Sequence, residues 1–224
     1  MLSGCESEYL TPGSERSGTD FFPIEVGQYR TYTVEEITFS FLEVPDTTRF
    51  FLKEVVADSF LNQANVPTYR LERFTRADEN MNWHLDSVWT ATKDTRRVVV
   101  TENNVPFIKL IFPLRTDLQW DGNALNSRLE DIYELQPTSD ELRHEIESPL
   151  DSLLNNSITV LQESSQDTTL AKIDVLETYA ENTGLFYKKT IRLQYCNTDT
   201  ACIGQGIIEA GRKFKQTLIE HGKE

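Results

Sequence analysis

Leu185-Phe186-Tyr187-Lys188-Lys189-Thr190-Ile191-Arg192-Leu193-Gln194-Tyr195 is the stretch on which the fold turns. Leu185, Tyr187, Ile191, Leu193 and Tyr195 alternate with Phe186, Lys188, Thr190, Arg192 and Gln194, a period of two that belongs to a strand with one buried and one wet face. Beyond a short cysteine-containing segment the pattern resumes. Ile208, Ala210, Phe214 and Leu218 alternate with Glu209, Lys213, Lys215 and Thr217. Two such strands in succession predict an antiparallel hairpin.

The same texture runs outward along the chain. Gln28 to Phe41 is rich in β-branched and aromatic residues, with Tyr32 and Val34 on one parity and Ile37, Phe39 and Phe41 on the other. That switch predicts a β-bulge at Glu35-Glu36. Further strands are expected at 48–61, 68–75, 83–89, 97–102, 105–113, 129–135, 157–162 and 171–179, with a turn at Asn103-Asn104. Residues 115–127 read as a loop around Trp120-Asp121-Gly122-Asn123. Thr138-Ser139-Asp140-Glu141 resembles a capping box and predicts a short helix from Ser139 to Ser148, stopped by Pro149. No βαβ alternation and no internal repeat interrupts the series. The expectation is a mainly β protein: an antiparallel meander curled into a half-barrel or barrel, with at most one or two short helices.

The chain has 224 residues, a formal net charge of −14, 38% hydrophobic and 26% charged residues. This is globular composition with room for one core. A chain this acidic is poorly suited to a phosphate backbone, so no nucleic-acid partner is expected. The charge is uneven: residues 117–183 hold 15 acids against Arg128, Arg143 and Lys172, while residues 184–224 hold seven bases against four acids. No apolar run approaches the roughly 18–20 residues of a membrane-spanning helix.

Leu2-Ser3-Gly4-Cys5 resembles a bacterial lipobox, in which the cysteine thiol receives a diacylglycerol and the chain is cut before it. In such proteins the lipobox ends a signal peptide, whose charged and apolar regions do not precede it here. Glu6 to Asp20, polar and without either period, reads as a disordered tether. Glu6 and Glu8 resemble the acidic export signal of surface lipoproteins in Bacteroidetes-type bacteria. The division expected is therefore a lipobox remnant and tether over 1–20 and a single β domain over 21–224. Cys196 and Cys202, spaced C-x5-C, fit neither a redox motif nor a zinc site and are expected to close a small disulfide loop in an oxidising compartment.

Phe22-Pro23-(x)3-Gly27-(x)4-Tyr32, the Trp120 to Asn123 loop, Tyr179-Ala180-(x)3-Gly184-Leu185 and Ile208-Glu209-Ala210-Gly211 together resemble uncharacterised envelope lipoproteins of Bacteroidetes-type bacteria. The resemblance covers most of residues 21–222. It implies a lipid-anchored outer-membrane protein, on the periplasmic face or the cell surface, and transfers no catalytic residues.

Chemistry is sparse. His84, His144 and His221 lie in different elements, no G-x-S-x-G elbow occurs, and Gly204-Gln205-Gly206 is too short for a phosphate loop. With 36 acids, some carboxylate pair falls within reach by chance, so an acid-residue hydrolase is a weak third reading. No catalytic residue, metal or cofactor is expected. Tyr29, Tyr32, Phe39, Phe41, Phe107, Tyr187 and Tyr195 are the candidates to line an apolar ligand cavity in a curved sheet, against the simpler reading of a packed core. The leading expectation is a non-enzymatic binding or accessory module for an apolar ligand or a protein partner. The alternative is a structural subunit of an outer-membrane or cell-surface assembly.

Overall fold

The computed structural model describes residues 17–41, 43–165, 169–198 and 200–224. The lipobox, Cys5 and most of the expected tether lie outside them. The strands are β1 (Gln28–Phe39), β2 (Asp46–Leu61), β3 (Pro67–Arg76), β4 (His84–Lys93), β5 (Arg97–Glu102), β6 (Val105–Ile111), β7 (Gln119–Asp121), β8 (Ile132–Pro137), β9 (Ser157–Ser164), β10 (Ala171–Ala180), β11 (Gly184–Tyr195) and β12 (Ile208–Lys223). One α-helix, α1 (Asp140–Glu145), and two 3-10 turns, Thr19–Phe21 and Asp151–Asn156, complete the described elements. The Ser139 hydroxyl caps α1 by accepting from Leu142 N–H at 3.2 Å, one residue on from the Thr138–Glu141 box, and the helix ends at Glu145, short of the expected Ser148 and the Pro149 stop.

All twelve strands form one antiparallel sheet in the order β6-β5-β4-β3-β2-β1-β12-β11-β10-β9-β8-β7. The first and last strands of the chain thus pair with each other in the middle, Gln28 opposite Lys223 and Val34 opposite Gln216. The seam falls between β6 and β7, which are consecutive in sequence. There the sheet curls until Ile108 N–H donates to the Gly122 carbonyl at 3.0 Å, and the Trp120 indole N–H donates to the Ile108 carbonyl at 2.9 Å. The result is a nearly closed barrel, which hides all but a short length of unpaired edge.

Turn chemistry follows the sequence. Asn103 and Asn104 both take positive φ between β5 and β6, and Gly184 opens β11 at φ 93°. The bulge expected at Glu35-Glu36 is absent. Those residues pair in register with Arg49 and Thr48, and the apolar parity simply ends there, because the upper part of the strand lines an open mouth. The irregularity between β1 and β12 lies lower, between Thr31 and Tyr32.

The two ends of the barrel differ. Residues 17–27 cross one end and close it. Phe22 and Ile24 are buried among Val56, Leu71, Val100 and Tyr179. The Lys93 ammonium donates to the Thr19 and Phe22 carbonyls at 2.7 and 2.8 Å, and Arg30 donates to the Pro23 and Thr183 carbonyls at 2.8 and 2.6 Å. Residues 17–20, expected as tether, therefore belong to this plug. A second apolar cluster joins Tyr32, Leu52, Phe186 and Leu218 to Leu142 and Ile146 of the α1 segment and to Leu154.

Candidate functional site

Alternation along the strands turns a mostly charged set of side chains into the lumen. Arg30 and Val34 of β1, Glu54 of β2, Arg73 of β3, Trp89 of β4, Glu102 of β5, Lys109 of β6, Glu177 of β10, Lys188 of β11 and Gln216 of β12 all face inward. Lys109 Nζ lies 2.7 Å from Glu102 and 2.8 Å from Glu177, and Lys188 Nζ lies 3.1 Å from Glu177 and 3.7 Å from Glu102. The Tyr179 hydroxyl donates to the second Glu177 oxygen at 2.7 Å. Two ammonium groups and two carboxylates thus form a closed ring across the barrel. Beside it, Glu54 lies 3.8 Å from Arg30 and 3.6 Å from Arg73, whose guanidinium stacks 3.6 Å above the Trp89 ring.

The electrostatics follow from the pairing. Burial opposes the charged form of Glu177, but the Lys109 and Lys188 ammonium groups outweigh it and hold the carboxyl well below its usual range. Glu102 is lowered by the same balance. Burial likewise opposes the charge on Lys109, and Glu102 and Glu177 override it, so the ammonium is retained. The Tyr179 phenol is pushed up by burial and by the neighbouring Glu177 charge.

The cavity at this level is about 40 Å³, room for about one water. Above it the lumen opens into a mouth of about 340 Å³, lined by Glu36, Phe50, Asp86, Arg212 and Phe214 and floored by Arg73, Trp89, Glu102 and Lys188. Trp89 Nε1 and Arg73 Nε are buried there without a hydrogen-bond partner. The mouth's inward charges balance: Glu36, Asp86 and Glu102 face Arg73, Lys188 and Arg212.

The structure does not gather the aromatic candidates. Tyr32 is fully buried, and its hydroxyl donates to the Leu185 carbonyl at 3.1 Å. Tyr187 is buried beside α1, its hydroxyl 3.4 Å from Glu145. Phe39 and Phe107 are half-buried, Phe39 beneath Lys213 and Phe107 between Lys109 and Arg128. Phe41 is exposed, Tyr195 half-buried near the β11 terminus, and Tyr29 covered by Lys53 on the outer wall. The cavity at the ion ring and the mouth above it are lined by none of the seven. Cys196 and Cys202 form the expected disulfide, Cα atoms 5.8 Å apart, in the β11–β12 connection. The stretch read as a loop holds strand β7, in which Trp120 is buried against the Tyr133 ring.

The ion ring was missed by a reading that sought apolar faces. Its signal lies in the sequence: Lys109 interrupts an apolar run, and Glu177 sits between Val175 and Tyr179 on the buried parity. Two opposite charges placed on faces meant for a core point to each other. Among the described residues, no group of three or more His, Cys, Asp or Glu is arranged to hold a metal, and no helix is long and apolar enough to cross a membrane. No protein-family model, no curated protein and no solved structure matches the chain.

Proposed function

We propose that the protein is a lipid-anchored component of a bacterial outer membrane that acts as a non-enzymatic binding module through the open end of its barrel. The observation that carries the reading is the contrast between the ends. One is sealed by residues 17–27, and the other opens into a mouth of about 340 Å³, within the range of ligand-binding clefts. Ser17, where the described chain begins, hydrogen-bonds Leu114 at the sealed end. A tether from a lipidated Cys5 would reach the barrel there and leave the mouth facing away from the membrane. The paired Cys196 and Cys202 fit an oxidising envelope compartment.

The same geometry narrows what is bound. An apolar ligand deep in the barrel has no room beside the ion ring, so binding belongs to the mouth and its rim. A hydrolase built on Glu102 and Glu177 finds no support, because both carboxyls are held ionised and neither can serve as a proton donor. The structural-subunit alternative draws on the exposed apolar side chains around the rim.

Native mass spectrometry of the chain recovered from a bacterial envelope tests the reading. The expected result is a triacylated Cys5 on a protein that carries a non-covalent companion. Protein without acyl chains, recovered from the soluble fraction, would overturn the anchoring. A bare acylated mass under every gentle extraction would overturn the binding role.

A further inference from the structure

The connections at the two ends of the barrel differ in their apolar content. Among the described residues, five of the six connections at the open end carry exposed large apolar side chains. Val44 and Leu129 are each 90% exposed, Phe41 60%, Met81 54%, Ile207 52% and Leu170 48%. At the sealed end the described exposed apolar side chains are fewer, Val26 at 43% and Phe60 and Leu61 at the β2 terminus, all on one side rather than around the opening. Scattered apolar residues on a surface need no explanation, but a ring of them around one opening does. Among the described residues, the open-end connections also hold five carboxylates (Glu43, Asp78, Glu79, Glu130, Asp131) against one base, Arg128.

We propose that this apolar, acidic crown is a docking face for a protein partner that presents basic side chains around an apolar segment. Charge decides among the occupants. An anionic lipid surface is repelled by carboxylates so placed, and a second copy of the chain, crown to crown, would bring like charges together. A basic partner gains the attraction and covers the apolar side chains. The disulfide fastens part of the connection that presents Ile207, and the Trp120 loop, tied by Asp121 accepting from Asn123 and Asp131 N–H at 2.8 and 3.0 Å, presents Leu129. A crown held this way loses little freedom on binding. The inference rests on the binding-module reading and names the class of partner.

The test titrates the full chain into labelled synthetic peptides alternating Lys with Leu, Lys with Ser, or Glu with Leu, and into anionic phospholipid vesicles. The Lys–Leu peptide is expected to bind, more weakly as salt rises, and about tenfold or more tighter than the other two. Val44→Ser combined with Leu129→Ser should cost it about tenfold, while Leu61→Ser on the β2–β3 hairpin, away from the crown, should cost nothing. Equal binding of the Lys–Ser peptide, indifference to the crown variants, or crown-dependent vesicle binding would each overturn the proposal. If the peptides fail while the envelope-derived protein still carries a companion in native mass spectrometry, docking at the crown falls and the binding-module reading stands.

Discussion

Glu177 is 1% exposed and carries a charge, so its worth is measured by what happens when its partners lose it. Glu177→Gln leaves Lys109 and Lys188 facing one carboxylate, and breaking a buried pair from one side costs about 3–5 kcal/mol. The expected outcome is a lower urea midpoint with an unchanged slope. The ring also sets a pH window. Glu102 and Glu177 lie below the ordinary 4.5, so their contribution is present above that value and is lost as pH falls below it. Lys109 lies above the ordinary 10.5, so its contribution holds below that value and is lost as pH rises beyond it. Urea unfolding across pH should show a plateau between these limits, and the acid limb should be shallower in Glu177→Gln. Gly184 makes a second point at this scale. At φ 93° a side chain is strained, and a Cβ would sit 2.8 Å from the Arg30 guanidinium that holds the plug. Gly184→Ala should therefore cost about 2 kcal/mol or more in thermal or urea unfolding.

At the scale of elements, legibility tracked length. β11 and β12 announced themselves because each repeats its alternation over many residues, and the hairpin register follows from it. β7 is three residues long, too short for any period, and lay inside a stretch expected to be a loop. Yet β7 makes the seam, so the step from open meander to nearly closed barrel was the part sequence could not settle. The lumen was hidden for a related reason: which strands face each other across a barrel depends on closure, and Lys109 meets Glu177 only once β6 has come round to β10's side. The seam has few backbone bonds of its own and leans on Trp120 and on the Lys109 clamp. Trp120→Phe removes the indole donor to the Ile108 carbonyl. Amide hydrogen exchange in β6 and β7 should then accelerate by about tenfold or more, while β1 and β12 keep wild-type protection. Uniform acceleration across the sheet would instead show that the seam opens only with global unfolding.

The whole molecule is a meander cut in an unexpected place. Every neighbouring pair of strands is adjacent in sequence except β1 with β12, whose partners are separated by nearly the full chain. That pairing demands the costliest loop closure in the fold. Both ends of the described chain lie at the sealed end, on opposite sides of the plug: Glu224 N–H donates to the Gly27 carbonyl at 2.9 Å beside β1, and Leu114 N–H donates to the Ser17 carbonyl at 3.1 Å beside the seam. A circular permutant that joins Glu224 to Ser17 by a Gly/Ser linker long enough to cross the sealed end, and opens the chain in the 112–118 connection, would make all ladders local. Its seam would then lie between its terminal strands, where few backbone bonds bridge them. Because contact order falls while the contacts persist, refolding from urea should quicken by about tenfold or more. The unfolding midpoint should shift little if the seam is held by side chains rather than by the connection itself. A permutant that folds at the old rate would place the rate-limiting step elsewhere, in assembly of the ion ring across the lumen. One that loses its midpoint would show that residues 112–118, bonded to Ser17 through Leu114, hold the sealed end as firmly as the plug does.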